Sequence, residues 1–232
     1  MVVMRRISTA LAATAVLLVL PSAAGAAVTE IGPAGNPFLP SCPGSPCFAV
    51  SRTTGYQVNV GTHRALMKAP ESGRIVAWSM TLSKPSTQQI KYFNRVLGGP
   101  AQAAISVIRP GKKLRQTLIR SGPTELLTPY FGSTTTFPLT ETLYIRKGDL
   151  VGLTVPSWAP ALQISLGDDT AWRASRSPKK CKDNTTQTAH FKVGKARHYG
   201  CFYKGARLTY SATFIPNPVT TNPPPKTKPK KG

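Results

Sequence analysis

Acidic side chains are scarce in this chain: eight aspartates and glutamates stand among 232 residues, against thirty lysines and arginines. The paired-acid machinery of a typical glycosidase therefore has few candidates, and Asp168 with Asp169 is the one adjacent pair. Set between Gly167 and Thr170, that pair reads as a turn held by side-chain bonds to its own backbone, and Asp149 after Gly148 reads the same way. Histidine is scarcer still: His63, His190 and His198 read as solvated surface residues. No Gly-x-Ser-x-Gly elbow, His-Glu-x-x-His pair or phosphate-cradling glycine loop occurs, which argues against a serine hydrolase or a zinc protease. No catalytic residue, metal ligand or cofactor is assigned. Beyond residue 26 no apolar run is long enough to span a bilayer.

What the first 26 residues do contain is an export signal. Arg5 and Arg6 precede a largely apolar run from Ile7 to Leu20, and Pro21 leads into the small-residue cleavage pattern Ala24-Gly25-Ala26, so Ala27 is read as the first mature residue. The mature chain is expected outside the cytoplasm, secreted or associated with the cell envelope. Removing Arg5 and Arg6 takes the formal charge from +22 to +20, and setting aside Lys226, Lys228, Lys230 and Lys231 leaves +16 on residues 27–215. That stretch suits one domain with a sizeable core. From Pro216 to Gly232 the composition turns to Pro, Thr, Asn and Lys, which reads as a disordered, polyproline-like tail.

An even number of cysteines in an exported chain implies disulfides. Of the three pairings open to Cys42, Cys47, Cys181 and Cys201, the local one is chosen: Cys42–Cys47 brackets a Pro-Gly-Ser-Pro turn, and Cys181–Cys201 brackets a lysine-rich excursion with little else to hold it.

Period-2 alternation dominates the rest. Val76, Trp78, Met80 and Leu82 are expected on one face of a strand at 74–82, and Leu208, Tyr210, Ala212 and Phe214 on one face of a strand at 207–214. Further strands are placed at 48–52, 56–60, 103–109, 114–120, 142–146, 150–155, 162–166, 171–174 and 198–203. One helix interrupts them: Ser86 and Gln89 form a capping box, Ile90, Phe93 and Leu97 recur at helical spacing, and Gly98-Gly99-Pro100 stops the run. The fold class predicted is all-β, an antiparallel two-sheet β-sandwich with this short surface helix closing one edge.

The segment Leu143-Tyr144-Ile145-Arg146-Lys147-Gly148-Asp149-Leu150-Val151-Gly152-Leu153 resembles the hairpin of extracellular jelly rolls, in which a Lys-Gly-Asp turn joins two core strands. Trp172-Arg173-Ala174-Ser175-Arg176 and the strand Ala206 to Ala212 resemble secreted β-sandwich proteins of high-GC Gram-positive bacteria to which no function is assigned. The resemblance implies a jelly-roll-like fold and carries no activity.

Function is therefore read from charge and aromatics. Ten basic residues lie between Arg173 and Arg207 against the single acid Asp183, and a second acid-free stretch, Arg74 to Arg120, holds nine more. Such a field concentrates polyanions. Arg173, Arg176, Lys179, Lys180, Lys182, Lys192, Lys195 and Arg197 are the expected contact patch for anionic polymers, namely wall phosphate polymers or acidic polysaccharides. Trp158, in a proline-flanked loop, and Tyr130 with Phe131 are candidates for stacking on a sugar ring. The leading expectation is a non-catalytic binding module. One alternative is a polysaccharide lyase acting on a polyuronate, with Tyr199, Tyr203, His190, His198 and Arg207 as its candidate residues. Another is a structural surface protein assembling through sheet edges.

Overall fold

Fifteen strands, one α-helix and three short 3-10 helices make up the regular structure of the described residues, 27–32 and 38–218, of this computed structural model. The expected signal at 1–26, and the tail beyond Pro218, lie outside them. In chain order the elements are β1 (Thr29–Ile31), β2 (Val50–Val60), β3 (His63–Arg64), β4 (Gly73–Thr81), α1 (Thr87–Leu97), β5 (Gln102–Arg109), β6 (Arg115–Ser121), β7 (Glu125–Leu126), β8 (Thr134–Ile145), β9 (Leu150–Ala159), β10 (Leu162–Gln163), β11 (Ala171–Ala174), β12 (Ala196–His198), β13 (Cys201–Lys204), β14 (Arg207–Leu208) and β15 (Tyr210–Pro216). The protein is mostly β, and its strand pairs are antiparallel.

A smaller sheet runs β1-β15-β4-β8, a larger one β12-β6-β5-β9-β2-β11-β13 with β3 on β2 and β7 on β5, and β10 with β14 forms a two-stranded ribbon. One contiguous cluster of buried side chains draws on both large sheets, with Trp78, Met80 and Phe214 from the smaller and Ile105, Val151 and Leu153 from the larger. The cluster is crossed by a hydrogen bond from Tyr210 Oη to the Val151 carbonyl at 3.0 Å.

Alternation explains the burial in β8 and β15, whereas β2, β5 and β9 of the larger sheet are buried almost throughout, and three departures from the expected strands are informative. In β15 Tyr210, Ala212 and Phe214 are fully buried as their spacing demands, but the expected strand at 207–214 is two pieces: β14 pairs with β10 and β15 with β4, and the chain changes sheets at Thr209. There the Thr209 carbonyl accepts from Thr81 N at 2.9 Å, and Thr209 Oγ1 donates to the Thr81 carbonyl at 2.7 Å. In β4 a register shift against β8 between Ile75 and Ala77 puts Ile75, not Val76, on the dry face beside Trp78 and Met80. The strands expected at 48–52 and 56–60 are one, β2, with a bulge at Arg52, whose φ is 45°, between them. Gly55 sits mid-strand because a Cβ there would lie 2.9 Å from the Trp172 ring.

The Lys147-Gly148-Asp149 turn does not close a hairpin. It carries the chain from β8 in the smaller sheet to β9 in the larger, and Asp149 faces β5, where the Arg109 guanidinium meets it.

Helix α1 begins as its capping box predicts: Ser86 Oγ accepts from Gln89 N at 3.2 Å and Gln89 Oε1 accepts from Ser86 N at 2.8 Å. Gly98, at φ 93°, caps its other end. Rather than closing an edge, the helix lies over β9, in the middle of the larger sheet, and the side chain it covers is Trp158. That corrects the loop placement of Trp158, which is wholly buried in β9. Its ring packs 4.8 Å from Phe93 and 5.6 Å from Phe131, and its Nε1 donates to Asn94 Oδ1 at 2.9 Å and to the Gly99 carbonyl at 3.0 Å. A ring enclosed this way cannot stack on a sugar. Phe131 belongs to the same packing, and Tyr130 stands edge-on to Phe137 at 5.2 Å.

Candidate functional site

Pairing of β11 with β13 places Trp172 directly opposite Tyr203, and their rings stack at 4.6 Å and 24°. Because side chains alternate across a strand, the next pair, Arg173 and Phe202, projects from the opposite face. There the Arg173 guanidinium covers the Phe202 ring at 4.8 Å, and Nη1 donates to the Tyr199 carbonyl at 3.2 Å. Trp172 and Tyr203 therefore wall a cleft, and Arg173 does not reach it.

Just beyond β11 the chain turns inward at Arg176, which is 3% exposed. Its Nη1 donates to Tyr203 Oη at 2.8 Å and Asn184 Oδ1 at 3.0 Å, and its Nη2 to the Ser51 carbonyl. Tyr203 Oη passes a hydrogen bond on to the Cys181 carbonyl at 2.6 Å. The Cys181–Cys201 disulfide ties the same loop to β13, and the second expected disulfide, Cys42–Cys47, is also formed. Segment 181–184 is thus fixed over the cleft by a covalent bond and a buried guanidinium.

Three depressions converge on this segment and all include Lys182. The first, about 400 Å³, runs between the Trp172–Tyr203 wall and Phe48, Leu162 and Ile164. The second, about 540 Å³, continues past Phe48 to Tyr92 and Val96 of α1. The third, about 560 Å³, lies among Lys179, Lys180 and Lys182. Phe48 and Tyr92 are 51% and 55% exposed, so two aromatic rings stand open along the groove. The acid in it, Asp183, is engaged by its own turn: its carboxylate accepts from the side chain and backbone N–H of Thr186, from Thr185 N and from Gln187 Nε2, and the Thr186 bonds chiefly hold the carboxyl far below its ordinary range.

The eight expected patch residues accordingly separate. Lys179, Lys180 and Lys182 are exposed around the groove, joined by Lys204, whose Nζ lies 3.6 Å from Asp168. Arg176 is a correction: a guanidinium bonded to Ser51, Asn184 and Tyr203 beneath the loop is no surface contact. Lys192, Lys195 and Arg197 surround a different depression of about 390 Å³, where Arg197 Nη1 donates to the Thr188 carbonyl at 2.6 Å.

Of the residues expected of a lyase, His190 and Tyr199 meet in the interior, and the other three lie apart from them. Tyr199 is fully buried, and burial pushes its phenol well above the usual range. His190 is 4% exposed, with Nε2 3.0 Å from the Lys195 carbonyl and Nδ1 3.2 Å from Tyr199 Oη. The carbonyl only accepts, so Nε2 carries the proton and Nδ1 accepts from the phenol. Desolvation, with the charge of Arg197, pushes this imidazole below its ordinary pKa. Arg207 is buried with its guanidinium 4.3 Å over the Phe38 ring, His198 pairs with Arg115 in the β12–β6 ladder, and Tyr203 supports Arg176. Among the described residues no group of three His, Cys, Asp or Glu side chains is placed to hold a metal ion, and no helix is long and apolar enough to cross a membrane.

Phe48, Tyr92 and Lys204 are groove residues the sequence reading did not single out. In sequence Lys204 is one more cation of the basic run, and Phe48 beside Cys47 reads as a strand residue. No protein-family model matches the chain, and no curated protein or solved structure is significantly similar to it.

Proposed function

We propose that the chain is an exported, non-catalytic binding module that holds anionic polymers of the cell envelope or matrix along the groove centred on Lys182. The two larger sheets are taken as the layers of a jelly-roll-like sandwich that carries this groove, a reading supported by the buried cluster they share. The observation that carries the function is the meeting of three depressions at one lysine, rimmed by Lys179, Lys180 and Lys204, with the neighbouring Asp183 carboxylate engaged by its own turn. Cations so placed attract a chain of negative charges, and the two open aromatic rings offer it apolar contact. Export is supported by the two disulfides, which persist in oxidising compartments.

The test is a salt titration of the pure protein against a polyuronate and a polyphosphate. Affinity is expected to fall steeply from low to physiological salt, and the triple variant K179E/K180E/K182E to bind at least tenfold more weakly at low salt. An affinity indifferent to salt and to these charges would remove the proposal.

A further inference from the structure

Arg176 is a buried cation without an anion. Its hydrogen-bond partners, Ser51, Cys181, Asn184 and Tyr203, are all neutral, and among the described residues it forms no ion pair. Its Nε is buried with no hydrogen-bond partner, and so is the indole Nε1 of Trp172, a side chain 4% exposed. A charge removed from water is costly unless a counter-charge accompanies it, and an unspent buried donor adds to that cost. Both side chains line the same 400 Å³ cleft, whose remaining walls are largely apolar and include Phe48, Leu162, Ile164 and Ala206.

Small-molecule sites are typically about 300–1,000 Å³, mostly apolar, with a few polar groups that fix orientation. This cleft has that size and composition, and no anion of the protein accompanies the buried cation in its wall. We infer that it binds an amphipathic carboxylate, a small acid whose apolar body packs among Phe48, Ile164 and the Tyr203 ring and whose head group neutralises Arg176. A carboxylate supplies the counter-charge that the buried guanidinium lacks. Lys182 and Lys204 at the cleft add attraction for the incoming anion. The cleft shares Phe48, Lys182 and Lys204 with the polymer groove, whereas Lys179 and Lys180 of that groove lie outside it.

The experiment is calorimetric titration of the full chain with decanoate below its micelle concentration, and with decanol as the match lacking the acid. Decanoate is expected to saturate at one per chain and decanol to bind at least tenfold more weakly. R176Q is expected to weaken decanoate at least tenfold. Because Arg176 also braces segment 181–184, a second variant, I164W, fills the cleft without touching that brace. It is expected to abolish decanoate binding while thermal melting stays cooperative. Equal binding of acid and alcohol, decanoate binding that survives I164W, or no saturation at millimolar decanoate would each overturn the inference. Loss of polyuronate binding in K179E/K180E, two lysines outside the cleft, with decanoate binding intact would bear on the polymer contact alone.

Discussion

Arg109 grips the carboxylate of Asp149 with two parallel hydrogen bonds, Nε to Oδ1 and Nη2 to Oδ2, each 2.9 Å long. The pair joins the end of β5 to the turn between β8 and β9, and the Asp149 side chain is 5% exposed against 38% for Arg109. Asp149 also accepts from Arg146 N at 3.3 Å, so the turn is organised around this carboxylate. D149A strands a half-exposed guanidinium and a turn amide. The expected loss is about 2 kcal/mol, in the range of hydrogen bonds to charged groups, and is read from the midpoint of urea unfolding. A variant as stable as the parent would show the pair to be incidental.

His190 makes stability depend on pH. Its folded pKa lies below the ordinary value of about 6.5, so above that value both folded and unfolded forms are neutral and the full stability is present. As pH falls below about 6.5 the unfolded chain takes up a proton that the folded chain refuses, and stability declines until the lowered folded pKa is reached. Unfolding midpoints measured between pH 7.5 and 5.5 should fall, and H190Q should flatten the slope over this window.

Gly55 marks a close approach. An alanine there would bring its Cβ to 2.9 Å from two ring carbons of Trp172 and 3.0 Å from the Arg173 carbonyl, so the β2–β11 pairing must shift. G55A is expected to destabilise by about 1–3 kcal/mol, as overpacking does, with a change in Trp fluorescence because the displaced ring walls the cleft.

The Cys181–Cys201 bond closes a ring over 20 positions, and losing it frees unfolded-state entropy worth about 3 kcal/mol. The C181A/C201A variant should melt earlier by that equivalent and should be cut by protease within 177–195, where the parent is expected to resist. Resistance in both would mean that Arg176 and Tyr203 hold the loop without help.

Local signals were the most legible in the sequence. The Ser86–Gln89 box marks the start of α1, and nearness along the chain suffices for both disulfides. Proline misled twice. Pro138 hid the first half of β8, yet that strand lies at the edge of its sheet, where a missing N–H need leave no ladder bond unmade. Pro156 made a loop of the end of β9, but it falls opposite the Arg52 bulge, where the ladder is already interrupted. The site was legible as charge and illegible as geometry. Arg176 looks in sequence like any other cation of its run; only pairing with distant Ser51 and Tyr203 withdraws it from solvent. Phe48 and Tyr92, 44 positions apart, come together because α1 folds back over β9.

The corner at Thr209 has a mechanical consequence. One residue lies between a ribbon strand and a sheet strand and is clasped to Thr81 by both its carbonyl and its hydroxyl, so neither piece peels away without straining the other. Amides flanking that stitch, in β4, β14 and β15, should exchange with solvent together, at the pace of whole-molecule opening and not of local fraying.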